Sequence, residues 1–263
     1  MIYELNHAGI VIKNLEKSLR FYQDVLGAKI VAQNFIPSNQ TDVTYVQIAG
    51  GMIELLHRRQ PAPGEVFGIT HIGFMADDLD ADYHALVESG CEGAVPPKVA
   101  GTGIGRLAFL LDPNGARVEL LQREVDFRTA PIEHEIIKSF DHYSVRANNL
   151  TAAKDFYGRR LGMTPLKQMY VEQSQLSILY FNFKYDVMEL LHRSTPDTGD
   201  IFGHIALRVE SVDRALDHFA TRGVAAEPGT PKPAGTGIGR IGIIRDPDGV
   251  RVELVDRPDL RDL

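Results

Sequence analysis

Residues 101–120 read GTGIGRLAFLLDPNGARVEL and residues 235–254 read GTGIGRIGIIRDPDGVRVEL, so a stretch of 20 residues recurs 134 positions later with 13 identities. Any fold for this chain must therefore hold the same local structure twice. Each copy joins a glycine-rich lead, an apolar run, a D-P-x-G turn with Pro second and Gly fourth, and an alternating R-V-E-L strand. That is the pattern of a β-hairpin. Strand parity sets Arg117, Glu119 and Leu121 on one face and Val118 and Leu120 on the other. Glu119 thus stands among apolar neighbours, and Glu253 stands the same way.

The repeat extends beyond the hairpin. A strand from about Leu5 to Ile12 puts Ala8, Ile10 and Ile12 on the face a helix would cover, with His7, Gly9 and Val11 on the other. The helix follows: Asn14 is placed to cap it, Leu15, Leu19, Tyr22 and Leu26 fall at helical spacing, and Gly27 is placed to end it. Strands are expected at Lys29 to Gln33, Thr44 to Ile48 and Met52 to His57, giving β-α-β-β-β. The pattern restarts with a strand at Thr70 to Met75, a helix at Leu79 to Ser89 closed by Gly90, and the first hairpin. A third unit runs from a strand at Phe140 to Arg146 through a helix at Leu150 to Leu161, closed by Gly162, to a strand at Asp186 to His192. A fourth has a strand at Gly203 to Val209, a helix at Val212 to Thr221 closed by Gly223, and the second hairpin. Pro61, Pro63 and Gly64 mark the loop between the first two units, and Pro196 and Gly199 mark its counterpart. The expected fold is α+β: four βαβββ units in two tandem domains with cupped mixed sheets, spanning 1–125 and 139–263 and joined by a charged linker, 126–138.

With 263 residues, 44% apolar and 24% charged, the chain can bury a full core in each half. A net charge of −7 argues against a nucleic-acid or anionic-membrane surface. No apolar run approaches the ~20 residues of a membrane span, and the start MIYELNHAGI has neither region of a signal peptide. The single cysteine, Cys91, permits no internal disulfide. The expectation is a cytoplasmic protein whose partner is a small molecule, with its oligomeric state left open.

The duplicated strands also duplicate their polar residues. His7 returns as His142, Glu54 as Glu189, His71 as His204 and Glu119 as Glu253, at offsets of 133 to 135. Singly, each has a bland reading: a histidine at a strand start is commonly a hydrogen-bonded edge residue, and Arg117 or Arg251 is local enough to pair with the following glutamate. Together they demand more. An ionised carboxylate stripped of water costs several kcal/mol unless paired, so four on apolar faces would consume a net stability of about 5–15 kcal/mol. Two His and two Glu around a divalent cation meet that need. Imidazole and carboxylate suit Ni, Zn, Co, Mn or Fe, and octahedral geometry leaves two positions open for water or substrate.

The tandem units, the H-x-G-I-V-I…S-L-R-F-Y…L-G run from His7 to Gly27, its weaker copy from His142 to Gly162, and the D-P-x-G-x-x-V-E-L endings resemble the vicinal oxygen chelate superfamily of glyoxalases, bleomycin-resistance proteins and extradiol dioxygenases. The resemblance covers nearly the whole chain. It implies paired units curled around a metal, with ligands His7, Glu54, His71 and Glu119 in one half and His142, Glu189, His204 and Glu253 in the other. Because glyoxalase I-like members can pair units across a boundary, quartets of His7 and Glu54 with His204 and Glu253, and of His142 and Glu189 with His71 and Glu119, stay open.

The resemblance implies first a metal-dependent lyase or isomerase, like glyoxalase I or the epimerases, acting on an α-hydroxycarbonyl or thiohemiacetal through an enediolate. Glu119 or Glu253 would be the base, with Glu54 or Glu189 acting on the opposite face. The alternatives are an Fe(II) extradiol dioxygenase with a His142, His204 and Glu253 triad, and a non-catalytic binder. The dioxygenase pattern's His and Tyr upstream of the D-P-x-G turn are missing here, and eight intact ligand candidates count against the binder. Arg106 and Arg240, in the repeated G-T-G-I-G-R, are candidates to recognise a carboxylate or phosphate of the substrate. Arg58 and Arg193 are further candidates for an acidic tail. His57 and His192, three residues past the glutamates, point to the opposite face and are not expected to be ligands.

Overall fold

Alternation of apolar and polar residues, broken by glycine and proline, produces sixteen strands and four short helices among the described residues. The computed structural model describes residues 1–195 and 199–263; the expected loop residue Pro196 lies outside them. The first unit is β1 (Ile2–Ile12), α1 (Leu15–Leu19), β2 (Lys29–Ile36), β3 (Thr41–Ile48) and β4 (Gly51–Arg58). The second is β5 (Gly68–Ala76), α2 (Leu79–Glu88), β6 (Glu92–Val99), β7 (Arg106–Leu111) and β8 (Arg117–Gln122). The third is β9 (Ile137–Arg146), α3 (Leu150–Lys154), β10 (Thr164–Val171), β11 (Leu176–Phe183) and β12 (Asp186–Arg193). The fourth is β13 (Phe202–Val209), α4 (Val212–Ala220), β14 (Lys232–Pro233), β15 (Arg240–Arg245) and β16 (Arg251–Val255).

The strands form two eight-stranded mixed sheets, ordered β2-β3-β4-β1-β5-β8-β7-β6 and β10-β11-β12-β9-β13-β16-β15-β14. Within a unit the first and last strands pair parallel, and the first strands of two units pair antiparallel. This topology has one consequence for function: the strands carrying the polar residues are the four central ones of each sheet. Every strand of a sheet comes from the same half of the chain.

Each helix covers the apolar face of its unit. On β1, Ala8, Ile10 and Ile12 are buried, and the Asn14 side chain caps α1 by accepting a bond from the Lys17 amide at 2.9 Å. Gly27 ends the segment with a φ of +67°, a conformation that glycine adopts without steric penalty. The sequence predicts regular helices through Leu26 and Leu161, whereas α1 and α3 each give way to a π-helical turn, at Arg20–Val25 and Asp155–Arg160. The wider turn buries two consecutive aromatic residues, Phe21 with Tyr22 and Phe156 with Tyr157. The edge strand β14 has two residues against eight in β6. Both edge segments carry prolines, Pro96 and Pro97 in β6 and Pro231 and Pro233 at β14, as edge positions allow.

The halves are clasped by reciprocal contacts. Tyr22 donates to Asp246 at 3.0 Å and Tyr157 donates to Asp112 at 2.9 Å, so each helix's tyrosine reaches the D-P-x-G turn of the opposite half. Tyr143 bridges the backbone N–H and C=O of Met52, and the Phe140 ring lies where a side chain on Gly51 would stand. Arg128, in the connection, is nearly buried between Glu4 of one half and Asp186 of the other, at 3.1 and 2.6 Å. Removing one donor from a buried carboxylate costs about 1–3 kcal/mol. Tyr22→Phe and Tyr157→Phe should each lower unfolding stability by that amount in a urea titration; a loss under ~0.3 kcal/mol in both would show that the clasp contributes nothing.

Candidate metal centres

Strand parity and register bring four side chains to one point on the concave face of the first sheet. His7 on β1 faces Gly73 on β5, and His71 on β5 faces Gly9 on β1. A methyl group on either glycine would overlap the imidazole opposite, at 1.9 Å for Gly9 and 2.3 Å for Gly73, so these positions are small because the rings lie over them. Glu54 sits beside Gly9 in parallel register and Glu119 beside Gly73. The resulting cluster is tight: His7 Nε2 lies 3.3 Å from His71 Nε2 and 3.4 Å from Glu119 Oε2, and His71 Nε2 lies 3.3 Å from Glu54 Oε2. One ligand atom from each of the four residues falls within 4.8 Å of all the others.

The second sheet repeats this arrangement less completely. His142 Nε2 and His204 Nε2 are 3.0 Å apart, and each lies 3.4 Å from Glu189 Oε2. These three satisfy the same 4.8 Å condition, whereas Glu253 stands back, with Oε1 3.9 Å from His204 Nε2. Both clusters are assembled inside one half, which overturns the alternative of quartets drawn across the boundary. The reason is topological: β1 pairs with β5 and β9 with β13, so the ligand-bearing first strands meet within a sheet.

The electrostatics of the two clusters differ. Burial pushes Glu119 up, but the charges and bonds of His71 and His7 outweigh it and hold the carboxyl at about 2. His71 is raised to about 9, because Glu119 and Glu54 overcome the opposing effect of burial. In the second cluster, His142 rises to about 10 against burial through Glu189 and Asp141. His204 is lowered to about 4, by burial first and then by the cationic neighbours His142, Arg251 and Arg146. Glu253, buried and facing the charge of Glu189, is raised to about 7.

A divalent cation fits this donor set. Glu119 Oε2 and Glu189 Oε2 are buried without a hydrogen-bond partner although imidazole nitrogens stand nearby. Such orphaned carboxylate oxygens are expensive in an apolar surround unless a cation meets them. His7 turns its Nδ1 toward Asn6 Oδ1 and His142 toward Asp141 Oδ1, at 3.1 and 2.7 Å, leaving Nε2 to face the cluster.

Several supporting residues were not singled out in the sequence. Tyr45 donates to Glu54 at 2.5 Å and Tyr180 to Glu189 at 2.9 Å. Arg123 and Arg257 donate to Asn6 and Asp141, at 3.0 and 2.6 Å. The recurrence of Tyr45 as Tyr180 and Arg123 as Arg257, at offsets of 135 and 134, carries the signal that would have found them. The first cluster opens into a cavity of 610 Å³ whose lining includes Phe109, Arg58, Arg117 and Arg123. The second opens into a cavity of 290 Å³ lined in part by Arg193, Arg251 and Arg257.

The two arginines of the repeated G-T-G-I-G-R stand differently towards their cavities. Arg106 shares the helix-facing side of β7 with Ala108 and Leu110, pairs with Asp80 on α2, and is not among the residues lining the first cavity. Arg240 reaches the rim of the second cavity but is engaged by Asp213 on α4 at 3.0 Å. Arg117 lies over the Phe109 ring, and Arg251 approaches Glu227 at 3.7 Å while its charge still acts to lower Glu253. Arg58 reaches its cavity while paired with Glu65 at 2.7 Å. His57 bonds Asp42 and His192 bonds the Ala147 carbonyl, away from both clusters.

No helix among the described residues is long and apolar enough to cross a membrane. A profile of the Glyoxalase/Bleomycin resistance protein/Dioxygenase superfamily matches residues 4–120 and 139–254. The chain is 23% identical to a lactoylglutathione lyase of Schizosaccharomyces pombe, over 97% of each protein. It is 32% identical to an ethylmalonyl-CoA/methylmalonyl-CoA epimerase of Cereibacter sphaeroides, over 46% of this chain and 99% of the epimerase. The Mn(II)-bound glyoxalase of Novosphingobium aromaticivorans superposes with a TM-score of 0.68 at 18% identity, over 98% of this chain and 84% of that one.

Because His71 at about 9 and His142 at about 10 are cationic near neutrality, and a ligating imidazole must be neutral, metal uptake must expel protons. Binding at pH 7.5 should release about one proton per ion, and affinity should rise about tenfold per pH unit up to pH ~9. Calorimetry in buffers of different ionisation enthalpy measures the release; no release would mean that the imidazoles are neutral before the ion arrives.

Proposed function

The chain belongs to the Glyoxalase/Bleomycin resistance protein/Dioxygenase superfamily, and from that premise we propose that it is a divalent-metal-dependent lyase or isomerase acting on a small α-hydroxycarbonyl or thiohemiacetal. Each proposed domain, 1–125 and 139–263, carries one site. His7, Glu54, His71 and Glu119 would hold the ion in the first, and His142, Glu189 and His204 in the second, with Glu253 beside them. Bound there, a dication supplies Lewis-acid stabilisation of the negative charge that develops on neighbouring substrate oxygens as an enediolate forms.

The single observation that carries this reading is Glu253. It projects from β16 beside the His and Glu cluster without joining it, its Oε1 3.9 Å from His204 Nε2, so a buried carboxylate stands within reach of a substrate held at the cluster. Glu253 takes the proton from the carbon beside the carbonyl and returns it to the adjacent carbon, and the hydroxyl proton passes to the former carbonyl oxygen, so that carbonyl and hydroxyl exchange places. Glu189, held by the Tyr180 hydroxyl, faces the same point from β12 and fixes the opposite side. Ile178, Leu191, Ile241 and Val255 line the same cavity and give the carbon skeleton of a small substrate an apolar wall. In the first cup Glu119 has the corresponding position, drawn into the cluster by two imidazoles.

One observation favours a second reading. The three residues gathered in the second cup, His142, His204 and Glu189, make up the two-histidine, one-carboxylate set used by non-haem Fe(II) oxygenases, with Glu189 rather than Glu253 as the acid. The two readings separate in one assay. Protein reloaded with Ni, Co, Zn or Mn should convert the glutathione adduct of a 2-oxoaldehyde to a thioester without consuming oxygen. Oxygen-dependent ring cleavage of a catechol by the Fe(II) form, with no isomerisation, would replace the lyase reading. With the first cup disabled by His71→Ala, Glu253→Gln should lower kcat by about 10²–10⁴-fold while changing second-site metal affinity less than about tenfold; retained kcat would remove Glu253 from the role of base.

A further inference from the structure

The two cups share their ligand types but differ in what stands behind them. In the first, His7 Nδ1 meets the neutral amide oxygen of Asn6 at 3.1 Å, and that oxygen also accepts from Arg123 at 3.0 Å. The nearest acid is a step removed: Asn6 Nδ2 donates to Glu4 at 3.0 Å, and Glu4 is already engaged by Arg128 and Lys184 at 3.1 and 2.8 Å. In the second cup the residue at the Asn6 position is Asp141. Its Oδ1 lies 2.7 Å from His142 Nδ1 and accepts from Arg257 Nη2 at 2.6 Å, and both side chains of that ion pair are almost fully buried. The Glu4 position is Ser139, which accepts from Arg208 at 3.0 Å and contributes no charge.

A second difference runs the same way. In the first cup the other imidazole is also held, with His71 Nδ1 3.2 Å from the Thr70 hydroxyl oxygen, itself bonded to the Gly9 carbonyl at 3.3 Å. The counterpart of Thr70 is Gly203, which has no side chain to offer His204. The first cup therefore steadies both imidazoles with neutral acceptors, and the second relies on one carboxylate behind one imidazole.

We propose that Asp141, clamped by Arg257, is a positioning residue that makes the second cup a distinct metal site, one whose ion affinity depends on a carboxylate–histidine pair that the first cup lacks. A carboxylate behind Nδ1 fixes the tautomer, holds the ring plane and pushes electron density toward Nε2, and it places one more negative charge near the ion than Asn6 does. Exchange of such a supporting group changes metal affinity by about 10–100-fold. The two ions of one chain consequently bind with separate dissociation constants, and positions 6 and 141 add to the difference that the set-back of Glu253 makes in the ligands themselves.

The inference rests on the metal reading above, and a titration separates the two. Cobalt(II) is added to the ion-free full-length chain in competition with a chelator and followed by its visible absorption. Asp141→Asn should weaken one of two binding events about 10–100-fold, shift the absorption band of that event alone and leave the other unchanged. In a His71→Ala chain, which retains only the second site, the whole signal should weaken. Asn6→Asp should do the reverse, tightening the first site, so the test does not depend on Asp141→Asn folding well. Two cobalt ions bound with constants that neither substitution moves by more than about threefold would overturn the proposal and leave the metal reading standing. No cobalt bound by the unaltered chain would overturn both.

Discussion

The structure depends on four glutamates that the fold carries out of water and sets against imidazoles. Ionised carboxylates in an apolar surround are among the costliest groups a protein can bury. Here Glu54, Glu119 and Glu189 are all almost fully enclosed, on strands whose neighbours are Ile, Leu, Val and Met. Tyrosine hydroxyls satisfy one oxygen of Glu54 and one of Glu189, and histidines approach the others. What remains unsatisfied, an oxygen on Glu119 and one on Glu189, points into the clusters. The sheet topology exists in the form it does because the first and last strands of two units must lie side by side for that convergence, and glycine at positions 9 and 73 is what lets the rings of the first cup occupy the space between strands.

Duplication supplies the frame and permits divergence within it. The reciprocal tyrosine-to-aspartate bonds and the buried Arg128 lock the halves together, so neither sheet needs to stabilise itself alone. With the frame fixed, single substitutions on equivalent strands change chemistry rather than fold. Asn6 against Asp141 alters the charge behind the first histidine, and Thr70 against Gly203 removes a support from the second. The different poise of Glu119 at about 2 and Glu253 at about 7 follows from their positions. One glutamate is drawn in by two imidazoles, and the other is held back at the cavity wall.

Much of this was legible in the sequence because it is periodic. The four β-α-β-β-β units, the glycine stops at Gly27, Gly90, Gly162 and Gly223, and the eight polar positions follow from alternation and from an offset near 134. What escaped was set by tertiary contact. The π-helical turns carry Tyr22 and Tyr157, whose hydroxyls reach the opposite half, a tertiary contact that no local spacing encodes. The engagement of Arg106 by Asp80 on α2 is likewise a tertiary contact that the repeated G-T-G-I-G-R does not encode. Asn6 and Asp141 were invisible as a pair because they differ, and a search for repeated residues passes over the positions where two copies part.

The central claim is that each half gathers its own ion-binding cluster from its own four central strands. Metal content per chain tests it most directly, by elemental mass spectrometry on protein purified without an affinity tag and reloaded separately with Ni, Co, Zn, Mn and anaerobic Fe(II). The account predicts about two ions per chain, the stoichiometry of two complete His and Glu sites. One ion per chain, or none under every loading, would contradict it.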